Sequence, residues 1–86
     1  MRIDLLLYRL RFARSRSRAK ALVEAGHVRR SGERIERACS AVQPGDVLAF
    51  PLGRSVCVLR VDQLPQRRGP AGEAQQCYHL IEQTDP

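Results

Sequence analysis

The stretch LLLYRLRFARSRSRAKALVEAGHV, from Leu5 to Val28, constrains this fold more than any other. Apolar residues recur in it at three- and four-residue spacing, first as Leu6, Leu7 and Leu10, then as Ala19, Leu22 and Val23. That is the period of two helices that each bury one face, with a basic turn between them. The first helix is too short to hold in water alone, so it must pack on another element. Asp4 either caps it at Leu5 or occupies its first turn, with Ile3 packed on the opening turns. Phe12 is expected to close the hairpin core, because a chain with two Phe, two Tyr and no Trp needs its rings inside. Ser15 is the expected N-cap of the second helix, which runs to Ala25 and stops at Gly26, a residue free to take the left-handed conformation.

The same stretch concentrates positive charge. Residues 1–40 hold eleven Arg or Lys against four Asp or Glu, a balance of +7, whereas residues 41–86 hold four against five, a balance of −1. A polyanion partner is therefore expected on the first half. Arg14, Arg16 and Arg18 gather at the start of the second helix with Arg11 and Lys20 beside them. A helix N-terminus and neighbouring guanidiniums suit a shared phosphate, against the plainer reading of a solvated basic face.

Beyond the hairpin the period changes. His27–Arg29 reads as a short strand, Ser31–Gly32 as a turn and Arg34–Ile35 as a second short segment. Arg29 and Arg30 are expected to extend the basic surface toward that turn, where Ser31 either contacts phosphate or sugar or merely shapes the reversal. Pro44–Gly45–Asp46 marks another turn, with Asp46 bonded to the turn itself, followed by strands at Val47–Phe50 and Ser55–Val61 separated by a break at Pro51–Gly53. In the later strand Val56, Val58 and Arg60 alternate with Cys57, Leu59 and Val61. Residues 70–78 suggest a helix after Pro70 with Ala71, Ala74 and Tyr78 inward, although Gly69 and Gly72 weigh against it. Arg67 and Arg68 either enlarge the basic surface or solubilise a loop.

The expected architecture is α/β: two N-terminal helices packed against a short, mainly antiparallel strand region, with residues 1–62 as the domain and 63–86 packed against it or extending it. So short a chain has room for one core. It is expected to be a monomer. Cys39, Cys57 and Cys77 lie 18 and 20 positions apart without a Cys-x-x-Cys pair, and they read as structural or incidental thiols. His79 lacks the companions of a metal ligand or catalyst, and no nucleophile with a base and no phosphate-cradling glycine loop stands out. The expectation is therefore no enzyme, no metal and no cofactor. There is no apolar run of about 18 residues, and the start is broken by charge too often for a signal peptide, so the expected place is the cytoplasm, without a membrane partner.

RID at positions 2–4, SRSRAKALVEAGHV at 15–28, RRSGERI at 29–35 and VQPGDVL at 42–48, in that order, resemble the small S4-type, alpha-L-like RNA-binding domain of ribosomal protein S4, some pseudouridine synthases and tyrosyl-tRNA synthetases. RLRFARSRSRAKALVEAGHV at 9–28 and QRRGPAGEAQQCY at 66–78 further resemble the bacterial ribosome-associated heat-shock proteins of that superfamily. The resemblance implies binding of ribosomal RNA in preference to DNA, and a role on free large ribosomal subunits carrying a stalled nascent chain and its peptidyl-tRNA. An assembly factor, or a module targeting an RNA-modifying enzyme, is the alternative. It points to Arg2, Arg11, Arg14, Ser15, Arg16, Lys20 and Arg29 as residues facing RNA, joined by Arg18, Arg30 and Ser31 from the charge pattern. Arg30 stands where the family has an aromatic or β-branched residue, Ser31 where asparagine is common. The closer family commonly carries a long basic C-terminal tail, and this chain stops at Asp85–Pro86.

Overall fold

The computed structural model describes residues 1–84. Helices α1 (Ile3–Arg9) and α2 (Arg16–Glu24) are followed by strands β1 (Val28–Arg30), β2 (Glu33–Ile35), β3 (Val47–Leu52) and β4 (Ser55–Val61), a short helix α3 (Ala71–Gln75) and strand β5 (Tyr78–Thr84). The strands form one antiparallel sheet in the order β2-β1-β3-β4-β5. The α/β class with an N-terminal helical pair matches the expectation from the sequence.

The core lies between that pair and one sheet face. Ile3, Leu6, Leu7, Leu10, Ala19 and Val23 meet Val28, Leu48, Phe50, Cys57, Leu59 and Val61 there, all buried. Leu22 packs at its rim. Phe12 closes the hairpin as its sequence context predicts, with its ring 5.0 Å from Phe50 and 5.1 Å from Tyr78. Alternation then fixes the second face: Arg29, Ala49, Val56, Val58 and Arg60 point away from the helices.

The Ser15 hydroxyl accepts the Arg18 N–H at 3.1 Å, so the second helix starts at its expected cap. Gly26 ends that segment at φ +82°. Ser31 and Gly32 both have positive φ, 49° and 88°, the mark of a type I′ hairpin whose twist suits the flanking strands. Asp46 accepts the Gln43 N–H at 2.9 Å, as its turn requires.

Three elements differ from the sequence reading by two residues or more, while β1, β2 and the end of α2 shift by one. The first helix begins at Ile3, which places Asp4 inside the first turn. Strand β3 continues through Pro51 to Leu52, because β1 pairs with it only at Leu48 and Ala49 and leaves β4 as its one neighbour beyond. A residue without an N–H is tolerated at such an edge. The helix expected at 70–78 is cut to Ala71–Gln75, with Ala74 buried but Ala71 exposed, and Tyr78 opens a strand that pairs with β4.

Candidate functional site

The first turn of α1 is built against the loop that leads from β2 to β3. Ile3 and Asp4 donate their N–H groups to the carbonyls of Ser40 and Ala38, Val42 donates to Met1, and Arg2 forms an isolated bridge with Ala41. The helix's opening donors are thereby satisfied within the chain, and Asp4 Oδ1 takes the Leu5 N–H at 2.8 Å.

Asp4 has a side chain only 4% exposed, and its carboxylate organises the cations above it. Arg2 donates to both oxygens, Nε to Oδ1 and Nη2 to Oδ2, each at 3.1 Å. Arg16 Nη2 lies 3.6 Å from Oδ2. The fork geometry of the first pair suits a carboxylate and fixes the guanidinium plane. Hydrogen bonding to Asp4, then its charge, raises the Arg2 pKa above the ordinary guanidinium value, so Arg2 is a cation at any working pH. Arg2, Asp4, Arg16, Ser17 and Lys20 line one shallow concavity of about 260 Å³. Arg16 and Lys20 share a flank of α2 because residues four apart are neighbours on a helix.

The other expected site residues divide by position. Arg30 shares the sheet face of Leu48, and its guanidinium bonds the carbonyl of Ala41, the residue bridged to Arg2. That contact sets Arg30 beside the Arg2–Ala41 bridge, next to the concavity's lining residue Arg2. Arg29, its neighbour in sequence, takes the opposite face beside Ala49, since successive strand residues alternate. Arg14 and Arg18 border a separate hollow with Phe12, Leu22 and Leu52, on the other flank of α2. Ser15 is occupied as a cap, and Ser31 donates its N–H to the Val47 carbonyl at the hairpin tip.

Arg11 is held elsewhere. Its guanidinium donates to the Gly69 carbonyl at 3.0 Å, Arg9 donates to Pro65 at 3.0 Å, and Arg68 donates to Tyr8 at 3.1 Å while lying 4.8 Å over the Tyr8 ring. These three arginines fasten residues 65–69 onto α1, and Arg67 pairs with Glu73 through two bonds. The sequence left Arg67 and Arg68 open between a basic surface and a loop; both make intramolecular bonds. The role of Asp4 was invisible in the pattern, because an acid in a first turn looks like an ordinary capping residue.

A concavity of about 350 Å³ lies under that strap beside α3, bounded by Gln63, Arg67, Glu73 and Cys77 and sharing no residue with the Arg2–Arg16–Lys20 concavity. Among the described residues no group of three or more His, Cys, Asp or Glu is placed to hold a metal ion. Cys39 is exposed, Cys57 buried and Cys77 partly buried, all as free thiols. No helix of the described residues is long and apolar enough to cross a membrane.

The S4 domain family matches residues 1–48, more than half of the chain. The small ribosomal subunit protein uS4 of Kosmotoga olearia is 43% identical over 47 residues, covering 55% of this chain and 23% of that protein. Its counterpart in Thermus thermophilus is 44% identical over 48 residues, covering 56% and 23%. The chain thus spans about a quarter of the length of these relatives. Among solved structures, trimeric heat shock protein 15 of Vibrio cholerae superposes with a TM-score of 0.89 at 30% identity, covering 94% of this chain and 81% of that one.

Proposed function

The chain belongs to the S4 domain family, and from that premise we propose that it binds structured ribosomal RNA without catalysis, through the face that gathers Arg2, Arg16, Lys20 and Arg30. The observation that carries this reading is Asp4. A buried carboxylate at the floor of a concavity holds two guanidiniums in place with Lys20 beside them, so cations stand ordered before any phosphate arrives. Ser17 brings the α2 N-terminus to the same concavity, and backbone donors there favour an anion. Arg14 and Arg18 border the separate hollow on the other flank of α2, Ser15 caps that helix, and Ser31 sits at the hairpin tip. Arg11 is engaged by the strap, and Arg29 is turned to the other side.

The partner we propose is the free large ribosomal subunit, in a stalled-translation or heat-stress response, and such a partner implies a cytoplasmic protein. Its support is the likeness to heat shock protein 15, which extends over the strap, α3 and β5, well past the portion shared with uS4. The likeness to uS4 over the first half favours a second reading, a subunit-assembly factor or RNA-targeting module.

Two measurements test the proposal. Binding to ribosomal RNA hairpins, single-stranded RNA and duplex DNA at one salt concentration should rank the hairpins first; equal or stronger binding to DNA overturns the RNA preference. Quantitative sedimentation with small subunits, empty large subunits, large subunits carrying peptidyl-tRNA and assembled ribosomes should show preference for the third. Binding mainly to small subunits favours the second reading, and equal binding to both large-subunit forms removes the stalled-complex specificity.

A further inference from the structure

The sheet face turned away from the helices takes no part in the RNA reading, and its charges are arranged with a symmetry of their own. Register sets Arg34, Arg29, Ala49, Val58 and Glu82 in one row across it, from β2 through β1, β3 and β4 to β5. The flanking rows bring Val47 and Arg60 to one side, Pro51 and Val56 to the other. The row is cationic at one end, apolar in the middle and acidic at the other end.

Most charges on this face are already matched within the chain. Arg34 lies 3.9 Å from Glu36 and Arg60 lies 2.8 Å from Asp62. The Arg29 side chain has no hydrogen bond or ion pair among the described residues, and the Glu82 carboxylate is met there only by the Thr84 hydroxyl at 3.4 Å. The two stand three strand spacings apart, about 14 Å at about 4.8 Å each, far beyond ion-pair reach. They are also equidistant from the line between β3 and β4. A two-fold axis along that line, in the plane of contact, carries each Arg29 onto Glu82 of the other copy and each Ala49 onto Val58 of the other copy. Sheets packed face to face lie about 10 Å apart, which leaves room for both layers of side chains.

We propose that a second copy of this chain packs on this face, in place of the monomer expected from the sequence, as a back-to-back dimer with its two cation clusters outward. The contact is isologous, with one surface complementary to itself. Val56, 48% exposed, together with the partly buried Val47, Ala49 and Val58, supplies the apolar centre. A polyanion suits the face less well, since it would meet Glu82 and gain only one unpaired arginine.

Sedimentation equilibrium of the nuclease-treated full chain, over a concentration series, tests this independently of RNA binding. The expected result is a reversible monomer–dimer equilibrium. R29E and E82R should each weaken it tenfold or more, because each sets two like-charge contacts in the interface. R29E/E82R should restore the wild-type constant, and an equimolar mixture of R29E and E82R should form the heterodimer. Both positions are exposed, and circular dichroism checks that each variant is folded. A monomer at every concentration overturns the proposal, as does association, trimeric included, that neither swap changes. If R29E lowers RNA affinity tenfold while the wild-type chain stays monomeric, the face belongs to RNA and the proposal fails.

Discussion

The salt dependence of RNA binding separates the cation cluster from the rest of the basic surface. Each phosphate neutralised releases condensed counterions and adds roughly 0.7 to 0.9 to the slope of log affinity against log salt. Four cations, Arg2, Arg16, Lys20 and Arg30, therefore predict a slope near about −3. Raising salt from about 50 to about 200 mM, a roughly fourfold step, should then weaken binding about 60-fold. Lys20→Gln is the cleanest perturbation, since the Lys20 side chain forms no hydrogen bond or ion pair among the described residues and its loss leaves the Asp4 pairs intact. It should flatten the slope by about 0.8, which is about threefold over that salt range. Arg29→Gln removes the same charge from the opposite face and should leave the slope unchanged. Fluorescence anisotropy of a labelled ribosomal RNA hairpin, titrated at several KCl concentrations, reads both slopes. Equal flattening by the two variants would refute the assignment of a face and leave only diffuse attraction to a basic protein.

Gly26→Ala forces a side chain onto φ +82° with its Cβ 3.4 Å from Arg34 Cδ; urea melts should show a loss of about 1–2 kcal/mol, and a neutral result would contradict the strain. Val23→Asp places a carboxylate in the core at a fully buried position and should abolish the folded circular dichroism signal, since unpaired buried charge costs several kcal/mol. Burial pushes the Cys57 thiol above its ordinary value of 9.0. The unfolded chain then gives up that proton first, so this contribution to stability is complete below the ordinary thiol range and is lost as pH rises through the folded value. Cys57→Val should remove that share of the alkaline decline in urea midpoint, and an unchanged decline would assign it to other groups.

Helical spacing and caps are local signals, and they made the first half legible: Ser15, Gly26 and the leucines sit where their chemistry requires. What failed were features set by distant residues. Strand β5 is nearly all exposed and carries a register shift that leaves Ile81 without a Cα partner, so YHLIEQT never shows a clean alternation. Its existence depends on the edge that β4 offers, which no local pattern reveals. The charge pattern found the basic half of the chain but not its division into faces. Arg29 and Arg30 look like one dipeptide, yet the strand period sends one to each side. Arg11 shows the same limit from another direction: its partner, the Gly69 carbonyl, lies 58 positions away.

Asp4 links the core to the candidate site. It shares the first turn of α1 with Ile3, Leu6 and Leu7, which are fully buried, and so it cannot move without disturbing them. An acid in that position is costly unless every lone pair is used. Arg2 and the Leu5 N–H supply three hydrogen bonds and Arg16 adds an ion pair at 3.6 Å, so the same carboxylate fixes the Arg2 guanidinium and draws that of Arg16 beside it. Ordering such side chains costs roughly 0.5–1.5 kcal/mol each when it happens on binding; here it is met when the chain folds. The carboxylate also cancels part of their positive charge, so on the proposed reading Lys20 and Arg30 supply more of the attraction and Arg2 with Arg16 the spacing. A face built in this way discriminates by the positions of phosphates more than by their number, which favours a folded RNA of fixed geometry over a flexible strand.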